Sequence, residues 1–223
     1  KNFCNDGACI DYKFLDFKRV TKKRFDYLEV WKECKSFFSK NNHKILDTYP
    51  VVCRWFPINF TIAGIVAFYR LTNGILDFEF SINPSLINQI CLRFNDIENV
   101  GLNGRSYTCF GMINQQSLFY NNEGYWKDEC IKLDLDLLTK VFGISLENID
   151  FIEDVWVGPA AFGACLEYHV LGLELGNAVF TQFRSDFKEL EKKVIDMGAG
   201  WERFAWISSF KPVSYTHLTL PTN

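Results

Sequence analysis

The sequence predicts an α+β fold: an antiparallel β-sheet flanked by helices. Three observations carry that expectation. Extended apolar runs come mostly in pairs joined by polar or glycine-containing connections, as hairpins do. Helical periodicity appears in separate blocks between those pairs, which argues against an alternating parallel, doubly wound sheet. The chain also has ample core material, since 48% of its 223 residues are hydrophobic and 17% aromatic, a globular rather than a disordered balance.

The elements follow in order. Residues 21–42 place Phe25, Leu28, Trp31, Cys34, Phe37 and Phe38 at helical spacing, and Asn41-Asn42 closes the run. A second helix is expected over 60–71, closed by Thr-Asn-Gly. Residues 88–96 read as a short buried strand and 104–113 as its return strand, with "IENVGLN" as a long hairpin connection. Residues 123–144 read as a helix with a glycine stop, 149–156 as a strand, and "VGPAAFGA" as a loop of small residues. Residues 165–183 read as two strands around Gly172, 191–198 as the closing strand, and "AGWERFAWI" as the start of a helix. No internal repeat or interdomain linker interrupts this order. The expected organisation is a Cys-containing element over 1–20, one domain over 21–212, and a Thr-rich, uncharged tail over 213–223 that reads as non-native and is set aside from the fold.

A formal net charge of -3 gives no global field that would draw the chain to nucleic acid or membrane, although a local basic cleft is compatible with it. No apolar run approaches the ~18 residues of a membrane span, and no signal peptide is seen. Six of the eight cysteines (Cys34, Cys53, Cys91, Cys109, Cys130 and Cys165) are scattered singly, mostly within apolar runs where a thiol packs as a small hydrophobe. The expectation is a reduced, cytoplasmic protein. Cys4 and Cys9 enclose a polar turn that has the form of a metal knuckle, but they supply only half of a four-ligand zinc site. Zn2+ therefore stays open beside a plain cysteine-containing turn. His43, His169 and His217 are scattered, and no Ser-His-Asp set is implied.

The run "VIDMGAGWERF" raises the question of a nucleotide site. It lacks the third glycine of a dinucleotide fingerprint, because position 203 is Arg, and no phosphate-loop Gly-Lys-Ser/Thr occurs in the chain. Gly198 and Gly200 read as the turn that lets a helix start, where backbone N–H groups favour anions. Arg203 adds a planar fork suited to phosphate oxygens. Arg93 shares a strand face with Cys91, and its neighbours Cys91, Leu92 and Phe94 read as buried, so its charge needs either a carboxylate partner or an anion.

In order along the chain come Arg93, a long connection, Phe110, and then a strand into Gly198-x-Gly200-x-x-Arg203. This set resembles the class II aminoacyl-tRNA synthetases, with Arg93 in the second family motif and Gly198, Gly200 and Arg203 in the third. The runs "CLRFNDIENVGLNGRSYTCFGMI", "GYWKDECIKLDLDLLTKVFGI", "EDVWVGPAAFGACLEYHVLGLELGNAVF" and "VIDMGAGWERF" are similar to the archaeal alanyl branch of that family. "YPVVCRWFPINFTIAGIVAFYRLTNG" is similar to its first motif region, and the likeness runs from about Cys4 to Trp206.

The resemblance implies the class II catalytic fold, truncated here, with ATP, Mg2+, alanine and tRNA(Ala) as cofactors and partners. It implies that Arg93 holds the α-phosphate, Arg203 the γ-phosphate end of a bent ATP, and Phe110 the adenine, with Gly198 and Gly200 beside the nucleotide. Glu174 matches a position near the magnesium and Asn177 one near the substrate. Asp196 matches the carboxylate that pairs with the alanine ammonium, although a strand-end helix cap is its other reading. Trp156 and Val179 would line the small side-chain pocket. The sequence departs from the family at Ser106, where His is usual, at Gly111, where a larger residue is usual, and in "INQQSLF", all on the adenine side. The N-terminal "CNDGAC" resembles half of a four-cysteine zinc element. Two other readings remain at this stage: a non-catalytic synthetase-like paralogue or inactive binding fragment, and a zinc-dependent nucleic-acid-binding domain, which requires a second Cys pair.

Overall fold

The computed structural model describes residues 20–53, 58–72, 75–80, 82–95, 97–100, 105–158 and 160–209. The expectations placed on Cys4, Cys9, His217 and the tail from 213 lie outside the described residues.

Helix α1 (Tyr27–Lys40) begins at Asp26, not at Thr21 as the periodicity predicts. The Asp26 carboxylate accepts from the Glu29 backbone N–H at 2.8 Å, and the Glu29 carboxylate accepts from the Asp26 N–H at 2.9 Å. This reciprocal capping box fixes the first turn. Val30, Cys34 and Phe38, each four residues apart, are its buried stripe.

Strands β1 (Lys44–Leu46), β2 (Tyr69–Thr72), β3 (Ile75–Phe78), β4 (Ser85–Leu92) and β5 (Cys109–Phe119) precede helix α2 (Lys127–Asp136). Strands β6 (Ile149–Val157), β7 (Ala161–Val170), β8 (Leu173–Arg184) and β9 (Glu189–Gly200) then lead straight into helix α3 (Trp201–Ser209). Seven strands form one sheet in the order β1-β4-β5-β9-β8-β7-β6, and β2 pairs with β3 separately. Every pair in the large sheet is antiparallel except β1 with β4, which is parallel. The predicted antiparallel α+β architecture therefore holds, with one parallel edge added by a three-residue strand too short to leave a periodicity.

The helix expected over 60–71 is overturned. Gly64–Phe68 form a 3₁₀ turn, and Tyr69 enters β2. All five turn residues are buried, so the stretch has no solvent face for an amphipathic helix. Gly64 is pressed against β5, where an added Cβ would come within 2.1 Å of Asn114 Oδ1. The strand expected over 88–96 is β4, shifted toward the N-terminus, and its return strand β5 starts at Cys109, not at 104. The helix expected over 123–144 is α2 followed by a π-helical turn at Leu137–Val141. The pair around Gly172 is β7 and β8. Leu171 and Gly172 both have positive φ (50° and 89°), as a two-residue type I′ hairpin turn requires.

Side-chain alternation splits the large sheet into two faces. Ile113, Tyr168, Ala178, Phe180, Ile195, Met197 and Ala199 join Val30, Phe38, Leu137, Phe204 and Ile207 in the main core beneath the helices. Over the opposite face, Ile65, Val66, Phe78 and Val194 form a smaller cluster under the 3₁₀ turn. The rest of that opposite face is an open cleft.

Candidate active site

A bulge in β8 aims the first functional residue. Tyr168 and His169, adjacent on β7, face Gly176 and Glu174 on β8, so Leu175 is the extra residue. Leu175 is fully buried in the main core, and Glu174 turns to the cleft. Arg203, in the first turn of α3, meets it there. Arg203 Nη1 donates to Glu174 Oε2 at 2.7 Å and to the Glu174 carbonyl at 3.0 Å, and Nη2 donates to the Arg105 carbonyl at 3.3 Å. Burial raises the Glu174 pKa, but the Arg203 charge and hydrogen bond outweigh it, so the carboxyl sits below its ordinary value.

The cleft, about 240 Å³, is lined by Arg93, Arg105, Phe110, Glu174, Gly198, Gly200, Glu202 and Arg203 among others. Arg93 follows directly on β4 and keeps pairing with the return strand through its N–H to the Thr108 carbonyl at 3.0 Å. Its side-chain Nε donates to the Ile62 carbonyl at 2.8 Å, and its guanidinium lies 5.2 Å from the Phe110 ring centroid. Arg93 is exposed, as is Phe94, which the sequence places inside. Among the described residues no carboxylate forms an ion pair with Arg93, so the salt-bridge reading is not realised. Three arginines, Arg93, Arg105 and Arg203, thus line one cleft, the charge pattern that suits phosphate oxygens.

Gly198 and Gly200 are not a turn. Both are the closing residues of β9, opposite Asn114 and Met112 on β5. Their missing side chains keep the cleft floor low between Phe110 and Glu174.

Asp196 lies two residues further back on the same face of β9, opposite Gln116 on β5 and Val179 on β8. It is 7% exposed. Its Oδ1 accepts from Asn114 Nδ2 at 2.9 Å and from Gln116 Nε2 at 3.5 Å. These bonds, and a position well inside the strand, exclude the helix-cap reading. Burial pushes its pKa up to about 7, against the pull of those amides and of Arg93. Asn177 sits opposite Gly198. Trp156, on β6, packs against the cluster of Ile65, Val66, Phe78 and Val194, which borders the Asp196 end of the face.

The structure therefore brings Arg93, Phe110, Glu174, Gly198, Gly200 and Arg203 into one cleft, with Asp196, Asn177 and Val179 on the adjoining rows of the sheet. Sequence reasoning missed Arg105, Asn114, Gln116 and Glu202. Glu202 is buried and its Oε1 accepts from Tyr27 Oη at 3.1 Å and the Gly111 N–H at 2.9 Å. Gly111 itself is explained by Trp201, which stacks on Tyr27 at 3.8 Å; an added Cβ at Gly111 would come within 2.7 Å of the indole. The strand parity of "FGMINQQ" was the available signal for Asn114 and Gln116, since it puts both on the face of Phe110. His43 is buried between the Asn41 carbonyl and Tyr125 Oη, and His169, which stands opposite Glu174 on the neighbouring strand, pairs with Glu167.

The family described as tRNA synthetases class II (A) matches residues 29–219. The alanine–tRNA ligase of Nitrosopumilus maritimus is 48% identical over 227 aligned positions, covering all of this chain and 25% of that protein. The corresponding ligase of Cenarchaeum symbiosum is 49% identical over 216 positions, covering 95% of this chain and 24% of that protein. The chain thus spans about a quarter of the length of these relatives. Among solved structures, a pyrrolysyl tRNA synthetase from Desulfitobacterium hafniense shares the fold, with a TM-score of 0.52 at 12% identity over 86% of this chain and 72% of that one. The family match spans most of the chain and the antiparallel fold is shared, so the chain belongs to the class II tRNA synthetases.

Proposed function

We propose that this chain is an alanine-activating core: it condenses alanine with ATP to alanyl-adenylate and passes the alanyl group to tRNA(Ala). The observation that carries this reading is the continuity of the cleft. Arg93, Arg105 and Arg203 line the cleft together with Gly198, and the buried carboxylate of Asp196 lies two residues back from Gly198 on the same face of β9.

In the first step an alanine carboxylate oxygen attacks the α-phosphorus, the bond from that phosphorus to the bridging oxygen breaks, and pyrophosphate leaves with the electron pair. No protein nucleophile is needed, so positioning and charge neutralisation do the chemistry. Arg93 would meet the α-phosphate, Arg203 the γ-phosphate end, and Phe110 the base. Asp196 would pair with the ammonium, while Asn177, Val179 and Trp156 bound the methyl pocket. In the second step a hydroxyl of the terminal tRNA ribose attacks the acyl carbon and AMP leaves.

Mg2+ fits this site in a limited way. Glu174, held ionised by Arg203, is a hard oxygen donor inside the cleft. No group of three or more metal-ligating side chains occurs among the described residues, so most of the ion's oxygen ligands would come from phosphates and water. When bound, the ion neutralises phosphate charge. No described helix is long and apolar enough to cross a membrane, and we place the reaction in the cytoplasm.

Alanine-dependent exchange of pyrophosphate into ATP tests the proposal. A well-folded chain without exchange, behaving identically to its Arg93→Ala variant, would overturn it.

A further inference from the structure

The rows of the sheet beside Asp196 carry an unusual set of amides. Gln116, Asp196 and Val179 stand side by side across β5, β9 and β8, and Asn114, Gly198 and Asn177 form the next row. Asn114 and Gln116 are fully buried, where a carboxamide needs specific partners. Both donate to the same atom, Asp196 Oδ1. Their own carbonyl oxygens, Asn114 Oδ1 and Gln116 Oε1, together with Asn177 Oδ1, are buried without a hydrogen-bond donor among the described residues. Three idle acceptors around a carboxylate whose second oxygen takes neither amide bond is a site short of N–H donors. A primary ammonium brings three.

We propose that Asn114 and Gln116 are positioning residues that clamp Asp196 through Oδ1 and leave Oδ2 to the ammonium of the amino-acid substrate. The inference rests on the proposed function for the identity of that substrate, but the clamp itself does not. The two amide bonds favour the charged carboxylate and so oppose the effect of burial. Among the other groups near Asp196, Arg93 also favours the charged form. Burial pushes the Cys91 thiol up to about 12 and raises Cys130 well above the ordinary thiol value, so both are neutral at physiological pH. Val179 and the covering turn Gly64–Phe68 carry no titratable group. Removing an amide donor leaves burial less opposed, and the carboxyl then holds its proton to higher pH.

The test uses Gln116→Met and Asn114→Leu, each of which keeps roughly the side-chain volume and removes the donor without adding a charge. The Asp196 carboxyl is titrated by carbon-13 NMR in the full chain, with Asp196→Asn to assign it. The expected upward shift is about one pH unit in each variant, the size of one lost hydrogen bond to a charge. In pyrophosphate exchange the KM for alanine rises roughly tenfold at pH 6.5 and recovers by pH 8.5, while kcat and the KM for ATP stay within about twofold. An unmoved Asp196 titration in a folded variant, or a KM penalty equal at every pH, overturns the clamp. If the wild-type chain shows no exchange, the proposed function falls while the NMR titration still decides the clamp. If Gln116→Met does not fold, Asn114→Leu decides it alone.

Discussion

Arg203 Nη1 lies 2.7 Å from Glu174 Oε2, so the third residue of α3 is tied to the bulge of β8 before any ligand arrives. The pair spans the cleft wall, and its partners come from elements that share no sequence neighbourhood. It gives α3 an electrostatic attachment to the sheet as well as an apolar one.

That pair has a pH signature. Glu174 has a depressed folded-state pKa, so its contribution to stability is complete at neutral pH and is lost as pH falls through the folded value, below the ordinary 4.5. Both side chains are partly solvent-exposed, so the gain is screened and amounts to about 1 kcal/mol or less. In urea denaturation, Arg203→Met is expected to be less stable than wild type at pH 7, with the gap closing toward pH 3.5. A gap unchanged across that range would show that packing, not charge, is what the substitution removes.

Asp196 has the opposite sign. Its folded pKa is raised to about 7 from 3.8, so the folded state keeps a proton that the unfolded state loses, and wild-type stability falls as pH rises between those values. Asp196→Asn avoids that cost. It is expected to match wild type near pH 4 and to exceed it at pH 8 by on the order of 2–4 kcal/mol, while alanine-dependent exchange disappears. In wild type the KM for alanine should climb toward tenfold per pH unit below pH 7. A wild-type chain whose KM is flat from pH 6 to 8 would remove Asp196 from the ammonium site.

Arg93→Ala separates chemistry from fold. The side chain is exposed and makes no ion pair among the described residues, so the melting temperature should stay close to wild type. If Arg93 meets the α-phosphate as proposed, its loss lowers kcat for exchange by about 10²–10³-fold. A kcat within threefold of wild type would show that the α-phosphate is held elsewhere.

Gly64→Ala reaches the same site from above. Its Cβ would come within 2.1 Å of Asn114 Oδ1, so either the 3₁₀ turn or the Asn114 amide must move. The expected cost is about 1–3 kcal/mol of stability together with weaker alanine binding. Asp26→Ala provides the control: it removes the capping box without touching Gly64 or Asn114, at about 0.5–2 kcal/mol, and should leave the KM for alanine unchanged. Unaltered alanine binding in a folded Gly64→Ala would show that Asn114 can yield without consequence.

Much of this was legible in the residues, and the failures have physical causes. Helix α1, the β7–β8 hairpin and the β9-to-α3 junction carry strong local signals: a capping residue, Gly172 at positive φ, and an apolar strand leading into an aromatic helix. The stretch 60–71 misled because apolar residues in succession fit a helix or a buried strand equally, and only its burial under the sheet decides between them. Arg93, Gly198, Gly200 and Arg203 were found through their order along the chain. Asn114 and Gln116 were not, because a buried amide inside a strand looks like an ordinary polar position until the register sets it against Asp196. The bulge at Leu175 was equally invisible, since nothing in "GLELGN" announces an extra residue.

The register of β9 has a consequence of its own. Asp196, Gly198 and Gly200 mark successive rungs on one face, and at about 3.3 Å per residue the first and last are about 13 Å apart. The strand therefore works as a ruler: on the proposed function the amino acid takes one graduation and the phosphates another. A deletion of one residue in β9 would not simply shorten that ruler. It would swap its faces, turning Asp196 toward the helices and Ile195 or Met197 toward the substrates. Tolerance to length change should accordingly be lowest in this strand, which runs into its helix without a turn and keeps Val194, Ile195, Asp196 and Met197 buried.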